Sequence, residues 1–351
     1  MKYPKSAFPI ALLGLVLFFP ACATIPESEN LPILSKKELS RGLVPQEFVC
    51  PGAGEQAPDP QLVKEIQAFL EQNGMLGGVP AGMVHDLSII MNNHVQVYLR
   101  SFANSKNIQA GLARSGRYLP MMRRVFKEYG LPQDLIYLAL VESCFSPYAR
   151  SPKEAVGIWQ FIEGTARRYG LKVNDQMDER QDPEKSTRAA ARYLRDLYKQ
   201  FSCWYLAAAS YNAGEKRVEG VINRYDIRNF WTMAQKGLLP QETCNYVPQV
   251  IAAALIAKNP GKYGLGQISY QSPWAYDPVK VPGGTDLRWF AEELEISDKE
   301  LLELNPEIKA GKVPSDPKEY LLKVPAKKRG EARRLARLCW RMEEIAAREN
   351  P

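Results

Sequence analysis

Between Pro132 and Pro147 the chain carries an apolar run that ends on a single carboxylate. Leu135, Ile136, Leu138, Ala139, Leu140 and Val141 leave a helix there almost no polar face, so that helix has to be buried on most sides. Pro132 suits its first turn, and Pro147 and Pro152 bracket a loop through which a helix does not continue. Glu142 therefore stands near the carboxyl end of a buried helix. Desolvation and the partial negative charge of the helix C-terminus both favour its protonated form. Such a group is a candidate general acid, of the kind glycoside cleavage requires. For an arbitrary glutamate, ending a helix in solvent is the commoner arrangement; the segments that follow weigh against it here.

The loop after Glu142 runs through Ser151, and an amphipathic segment then opens at Gly157 with Trp159 and Gln160 in its first turn. Ala207–Gly214 ends a helix in small residues with Gly214 at a natural C-cap, which places Tyr211 and Asn212 at the helix exit. Glu242–Ile256 starts another apolar helix with Glu242 and Tyr246 on one face at i, i+4 spacing. Taken in this order, the segments resemble the lytic transglycosylases with a lysozyme-like catalytic domain, most closely the membrane-bound lytic murein transglycosylase D group. The resemblance runs through Glu142-Ser143-x-Phe145, Ala155–Phe161, Asp178–Arg180, Ser186–Leu194, Tyr211–Glu215 and Glu242–Pro248. It implies a mainly α chain with an all-helical catalytic domain, Glu142 as catalytic acid/base, and substrate contacts from Ser151, Gln160, Tyr211, Asn212, Glu242 and Tyr246, Glu242 also buttressing the site. It implies no cofactor and no metal. One position departs from the family pattern: Glu154 stands where a glycine is usual. Either that turn needs no positive φ, or the loop and the contact assigned to Ser151 are altered.

Lys2 and Lys5 precede an apolar run from Ala7 to Phe19, too short to span a membrane and of the form of a signal peptide over residues 1–21. The run ends in Pro20-Ala21-Cys22, which resembles a lipoprotein cleavage site with Cys22 lipidated; cleavage as an ordinary secretory signal is the alternative. Ala23 follows, and the absence of an Asp there favours, by analogy, the periplasmic face of the outer membrane. Residues 22–60 read as a tether rich in Pro, Glu, Ser and Gly. From Leu62, Ile66 and Leu70 onward the pattern is helical, giving a helical extension over 61–130, with stretches at Val84–Phe102 and Leu119–Tyr129. The catalytic domain then spans 131–264, with further helices expected at Ile158–Tyr169, Ser186–Phe201 (Ser186 as N-cap), Trp204–Asn212, Glu215–Tyr225 and Tyr246–Ala257. The carboxylates of Asp175–Pro183 read as caps and salt-bridge partners. Trp159 and Trp231 are open between lining a sugar cleft and filling a core.

Beyond Gly264 a strand-helix-helix-strand order over 274–326 resembles a divergent LysM-type module, a small α+β unit of a family that binds N-acetylglucosamine-containing glycans; a structural appendage without glycan binding is the alternative. Residues 327–351 form a charged tail read as a solvated surface helix. Both histidines, His85 and His94, lie away from every motif, which argues against histidine catalysis and multi-histidine zinc sites. Six cysteines leave an odd number if Cys22 is lipidated. Cys144 and Cys203 flank helices that converge on one cleft and are expected to pair, with free thiols as the competing reading. The net charge of +7 suits a wall polymer bearing carboxylates. The partners implied are peptidoglycan glycan strands and, through the lipid, a membrane; nucleic acid is not expected for an exported chain.

Most glycosidases use two carboxylates. Glu154, Glu163 and Glu242 are the candidates for a second, but none shares the apolar setting of Glu142. One acid/base suffices where the substrate supplies its own nucleophile, as the muramic acid 6-hydroxyl does in the family resembled, giving a 1,6-anhydro product. A hydrolytic muramidase and a non-catalytic peptidoglycan-binding lipoprotein are the alternatives.

Overall fold

Alanine-rich helices have no room for a polar face and every reason to be covered, and one of them forms the centre of the helical body. The computed structural model describes residues 90–316 and 318–349, the side chains of 346–349 excepted; the expected signal peptide, Cys22, the tether and the Leu62–Leu70 helix lie outside these. Helices α1 (Asn93–Ala103) and α2 (Lys106–Glu128) precede a 3₁₀ turn (Gln133–Tyr137) that leads into α3 (Leu138–Ser143). Then follow α4 (Glu163–Arg168), α5 (Pro183–Phe201), α6 (Trp204–Ala213), α7 (Glu215–Tyr225), α8 (Phe230–Gln235) and α9 (Gln241–Lys258). Ile251, Ala252, Ala253 and Ala254 bury the middle of α9, against which α1, α3 and α6 pack. Ala207, Ala208 and Ala209 give α6 an equally thin flank, so backbones approach closely and Glu142, Tyr211 and Tyr246 are drawn to one region. No helix among the described residues is long and apolar enough to cross a membrane.

Three helix boundaries differ from expectation for identifiable reasons. Helix α2 begins at Lys106 and runs through Pro120; burial of Leu112, Tyr118, Met122, Val125 and Phe126 along its inner side outweighs the roughly 3 kcal/mol a mid-helix proline costs. Helix α5 starts at Pro183, with Asp182 as its N-cap accepting from the Glu184 and Lys185 amides at 2.9 Å. Ser186 lies inside that helix, its hydroxyl donating to the Asp182 carbonyl at 2.6 Å. The expected helix at 158–169 is confined to Glu163–Arg168, because Arg150, Val156 and Phe161 pair as β-bridges instead. The short helix α8, capped by Asn229, has no counterpart in the sequence reading.

After Gly264 the order is β1 (Tyr276–Pro282), α10 (Leu287–Glu293), α11 (Asp298–Leu304) and β2 (Glu319–Pro325), the two strands antiparallel with Val279 opposite Leu322. Val279, Val281, Leu287, Phe290, Leu301, Leu322 and Val324 build a second core. The final helix α12 (Arg329–Glu349) is not solvated all round: Ala332, Leu335, Ala336 and Cys339 are buried on it, and it packs against β1.

A buried ion cluster ties the two cores. Lys323 on β2 donates to Asp182 at 2.7 Å and to Glu307 at 2.8 Å, and Tyr320 donates to the same Glu307 oxygen at 2.7 Å. Burial works to raise both carboxyls. The Lys323 and Lys185 charges nevertheless hold Asp182 below the usual range, while Glu307 stays above it. Removing Lys323 takes the bonded cation from both acids and leaves them only the more distant charge of Lys185, 4.0 Å from Asp182. Lys323→Met is expected to cost about 3–5 kcal/mol in denaturant unfolding, whereas Lys280→Met, which breaks the exposed Lys280–Glu319 pair, should cost under about 1 kcal/mol.

Candidate active site

Helix α3 ends at Ser143, where Cys144 and Phe145 both turn into the left-handed region with φ of 50° and 59°. This reversal lets the Phe145 side chain return to the core and leaves Glu142 in the last turn, part-buried. The Ser143 hydroxyl donates to the Ile158 carbonyl at 2.8 Å and accepts from the Ser146 amide at 3.1 Å, pinning that last turn to the 157–160 segment. Ser143 was quoted in the sequence motif without a role; this is the role its geometry gives it.

Tyr246, on α9, donates its hydroxyl to Glu142 Oε1 at 2.6 Å. Burial raises the Glu142 pKa to about 7; the Tyr246 hydrogen bond opposes the rise, and the negative charge of nearby Glu242 adds to it. No cation contributes to that balance. Glu142 therefore sits at the midpoint between acid and base near neutral pH, as a group that must give and retake a proton requires. Tyr211, on α6, donates to the Trp159 carbonyl at 2.8 Å, and burial raises both tyrosine hydroxyls well above their ordinary range. They act as neutral donors.

Asn212 is oriented from both ends of its amide: Thr243 donates to its Oδ1 at 2.8 Å, and its Nδ2 reaches Glu242 Oε1 at 3.5 Å. Thr243 was not singled out in sequence; it lies in the Glu242-Thr243 pair, and a buried hydroxyl beside a site amide is the signal that finds it. Gln160 turns inward, its amide donating to the Gly157 carbonyl at 2.8 Å and the Ala149 carbonyl at 3.2 Å. Ser151 accepts from the Lys153 and Ala155 amides at 3.2 and 3.1 Å. In this state, then, Gln160 and Ser151 brace the loop itself. Trp159 is wholly buried, stacked on Phe126 at 5.6 Å with its indole N–H on Thr187; it belongs to the core. Trp231 packs edge-on against Tyr205 and Phe230.

The loop wall owes its shape to Arg180, which the Asp178–Arg180 motif contains without a role. Its guanidinium forks onto Asp178 with two contacts of 2.8 Å and donates to the Glu154 and Phe161 carbonyls at 3.0 and 3.2 Å. Gly157, at φ +85°, passes so close that a Cβ would stand 2.0 Å from the Arg180 carbonyl. Glu154 does adopt positive φ, at 58°. The turn keeps the geometry a glycine would give, and the Arg180 contact to its carbonyl offsets the strain of a side chain there.

The expected Cys144–Cys203 bridge does not form. Cys144 is a free thiol, and Cys203 is engaged in a disulfide with none of the three free cysteines Cys144, Cys244 and Cys339. Cys203 caps the start of α6, and at about 1.5 Å per residue it lies a helix-length away from Tyr211 and the cleft beside which Cys144 sits.

Residues 121–234 match the model of the Transglycosylase SLT domain family. Over 237 residues the chain is 33% identical to membrane-bound lytic murein transglycosylase D of Escherichia coli, an alignment covering 66% of this chain and 51% of the relative. It is 30% identical over 115 residues to membrane-bound lytic murein transglycosylase C of Photorhabdus laumondii, covering 29% and 32% of the two chains. The chain thus spans about half the length, or less, of these curated relatives. Among solved structures it is similar to an inactive mutant of a lytic transglycosylase from Pseudomonas aeruginosa, with 27% identity, a TM-score of 0.35, and coverage of 43% of this chain and 25% of that one.

A raised carboxyl pKa has a signature in stability. Glu142 contributes fully below its unfolded value near 4.5, and that contribution is lost as pH rises through about 7. Glu142→Gln removes the ionisation, so the variant should match the wild type at pH 4.5 and exceed it at pH 8.5 by about 1–3 kcal/mol, after discounting for partial exposure. Paired denaturant melts at the two pH values measure this, and a variant without a pH-dependent gain would contradict the raised pKa.

Proposed function

We propose that this chain is a lytic transglycosylase that cleaves the bond between N-acetylmuramic acid and N-acetylglucosamine in peptidoglycan and leaves 1,6-anhydro-muramic ends. The observation that carries the reading is Glu142, held near pKa 7 by burial and bonded to a neutral phenol, inside a segment matching the SLT family. Glu142 protonates the bridging oxygen as the C1–O bond breaks. It then takes the proton of the muramic 6-hydroxyl as that oxygen bonds to C1, so the carboxyl ends as it began. Tyr246 remains on Oε1 through both steps, while Asn212, Tyr211, Gln160 and Ser151 hold the sugars and the loop around them. Water needs no activation, so no second base is required.

The hydrolytic alternative rests on Glu242, whose charge is felt at Glu142 and whose side chain is 41% exposed. As a base it would activate water and give reducing ends. The reading extends to an exported protein at the periplasmic face of the outer membrane, anchored by lipid on Cys22. The βααβ unit around 274–326 would be a LysM-like module that adds affinity for glycan.

Mass spectrometry of material released from purified sacculi tests the function. Anhydro ends are expected from wild type; reducing ends would establish the hydrolase. Glu142→Gln should lose activity by about ten-thousand-fold or more, the upper end for a group used in both half-steps. Glu154→Gln and Glu163→Gln, both exposed and ion-paired to neighbouring arginines, should keep most of it. A folded Glu142→Gln variant with near wild-type release would overturn the mechanism.

A further inference from the structure

The loop that carries Ser151 also carries a cation that the mechanism above does not use. Lys153 is 82% exposed, and its ammonium stands 3.5 Å from Glu242 Oε2. The other Glu242 oxygen faces Asn212, which fixes Glu242 at the cleft and brings Lys153 to its rim. At 3.5 Å, with both groups open to water, the pair is worth under about 1 kcal/mol. It is therefore an exchangeable contact. A ligand carboxylate arriving at the rim can take the ammonium at little cost, because Glu242 keeps its bond from Asn212 when Lys153 leaves.

We propose that Lys153 is a carboxylate-binding residue of the cleft, released from Glu242 to an acidic group carried by the bound glycan. This rests on the reading of the substrate as peptidoglycan, whose carboxylates are those of the peptide or, where the peptide has been removed, that of the lactyl ether it was joined to.

Binding tests the proposal apart from turnover. Three glycan-strand preparations are needed: peptide-bearing strands, strands stripped of peptide by an amidase so that only lactyl carboxylates remain, and stripped strands whose carboxylates have been converted to methylamides. Each is titrated against Glu142→Gln and against Glu142→Gln combined with Lys153→Met or Lys153→Arg. Lys153→Met should weaken binding about three- to tenfold wherever carboxylates are present, leave the methylamide strands unchanged, and be rescued by Lys153→Arg. Loss on the stripped strands alone assigns the lactyl carboxylate, loss on the peptide-bearing strands alone assigns the peptide, and loss on both shows that Lys153 takes either carboxylate. Equal loss on the methylamide strands, or no loss on any, would overturn the proposal. Wild type that releases no anhydro product would refute the functional reading but leave the binding result standing.

Discussion

The hydrogen bond from Tyr246 to Glu142 closes a loop of 104 residues, and the helical body can be understood as the means of making it. A phenol can sit 2.6 Å from that carboxyl only if α9 and α3 pack closely, and the buried alanines of α9 together with Ala139 of α3 leave room for that. The choice of partner matters as much as its position. An arginine there would stabilise the carboxylate and drop its pKa far below neutrality; a purely apolar neighbour would push the pKa higher still. A buried neutral donor sits between these extremes, and Tyr211 is kept from competing because its own hydroxyl is committed to the Trp159 carbonyl.

The second requirement is a wall that does not move when the first makes its demand. Residues 149–161 have almost no regular structure, yet their carbonyls are spoken for: Arg180 takes two, the Gln160 amide takes two more, and Ser143 takes that of Ile158. Such a loop holds its shape through side-chain donors instead of a ladder, and this explains why a glutamate at positive φ is tolerated at position 154. The strain is local and the restraint is spread over several elements.

The residues gathered at the candidate site were far more legible than their supports. Glu142, Tyr211, Asn212, Glu242 and Tyr246 announce themselves because each is a polar residue at the end or on the face of an otherwise apolar helix. The supports are polar groups whose partners are remote: Arg180 reads as one charge in a polar loop, and Lys323 as one more lysine in a strand, because Asp182 is 141 residues away. Helix boundaries failed where tertiary burial overrode a local signal, as at Pro120, or where an earlier residue was a better cap, as Asp182 is than Ser186. The cysteine pairing failed for a geometric reason. Convergence of two helices on a cleft says which ends meet, and Cys203 stands at the other end of α6.

The cluster around Lys323 also decides how the small α+β unit relates to the cleft. Asp182 accepts from the α5 amides with one oxygen and from Lys323 with the other, so the start of a helix of the first core and the strand of the appended unit share one carboxylate. Arg117 to Glu303 at 3.3 Å, Tyr276 to Glu184 at 2.7 Å and the Asp178 amide to the Glu307 carbonyl at 2.8 Å repeat the connection at other points. A module on a flexible linker raises local concentration and leaves orientation free. One joined through buried charges fixes both, since swinging it away would expose Met177 and take Lys323 from the buried Asp182. Under the function proposed here, any glycan contact this unit makes lies at a set distance and angle from Glu142, so the unit would select which bond along a strand reaches the acid as well as holding the strand nearby.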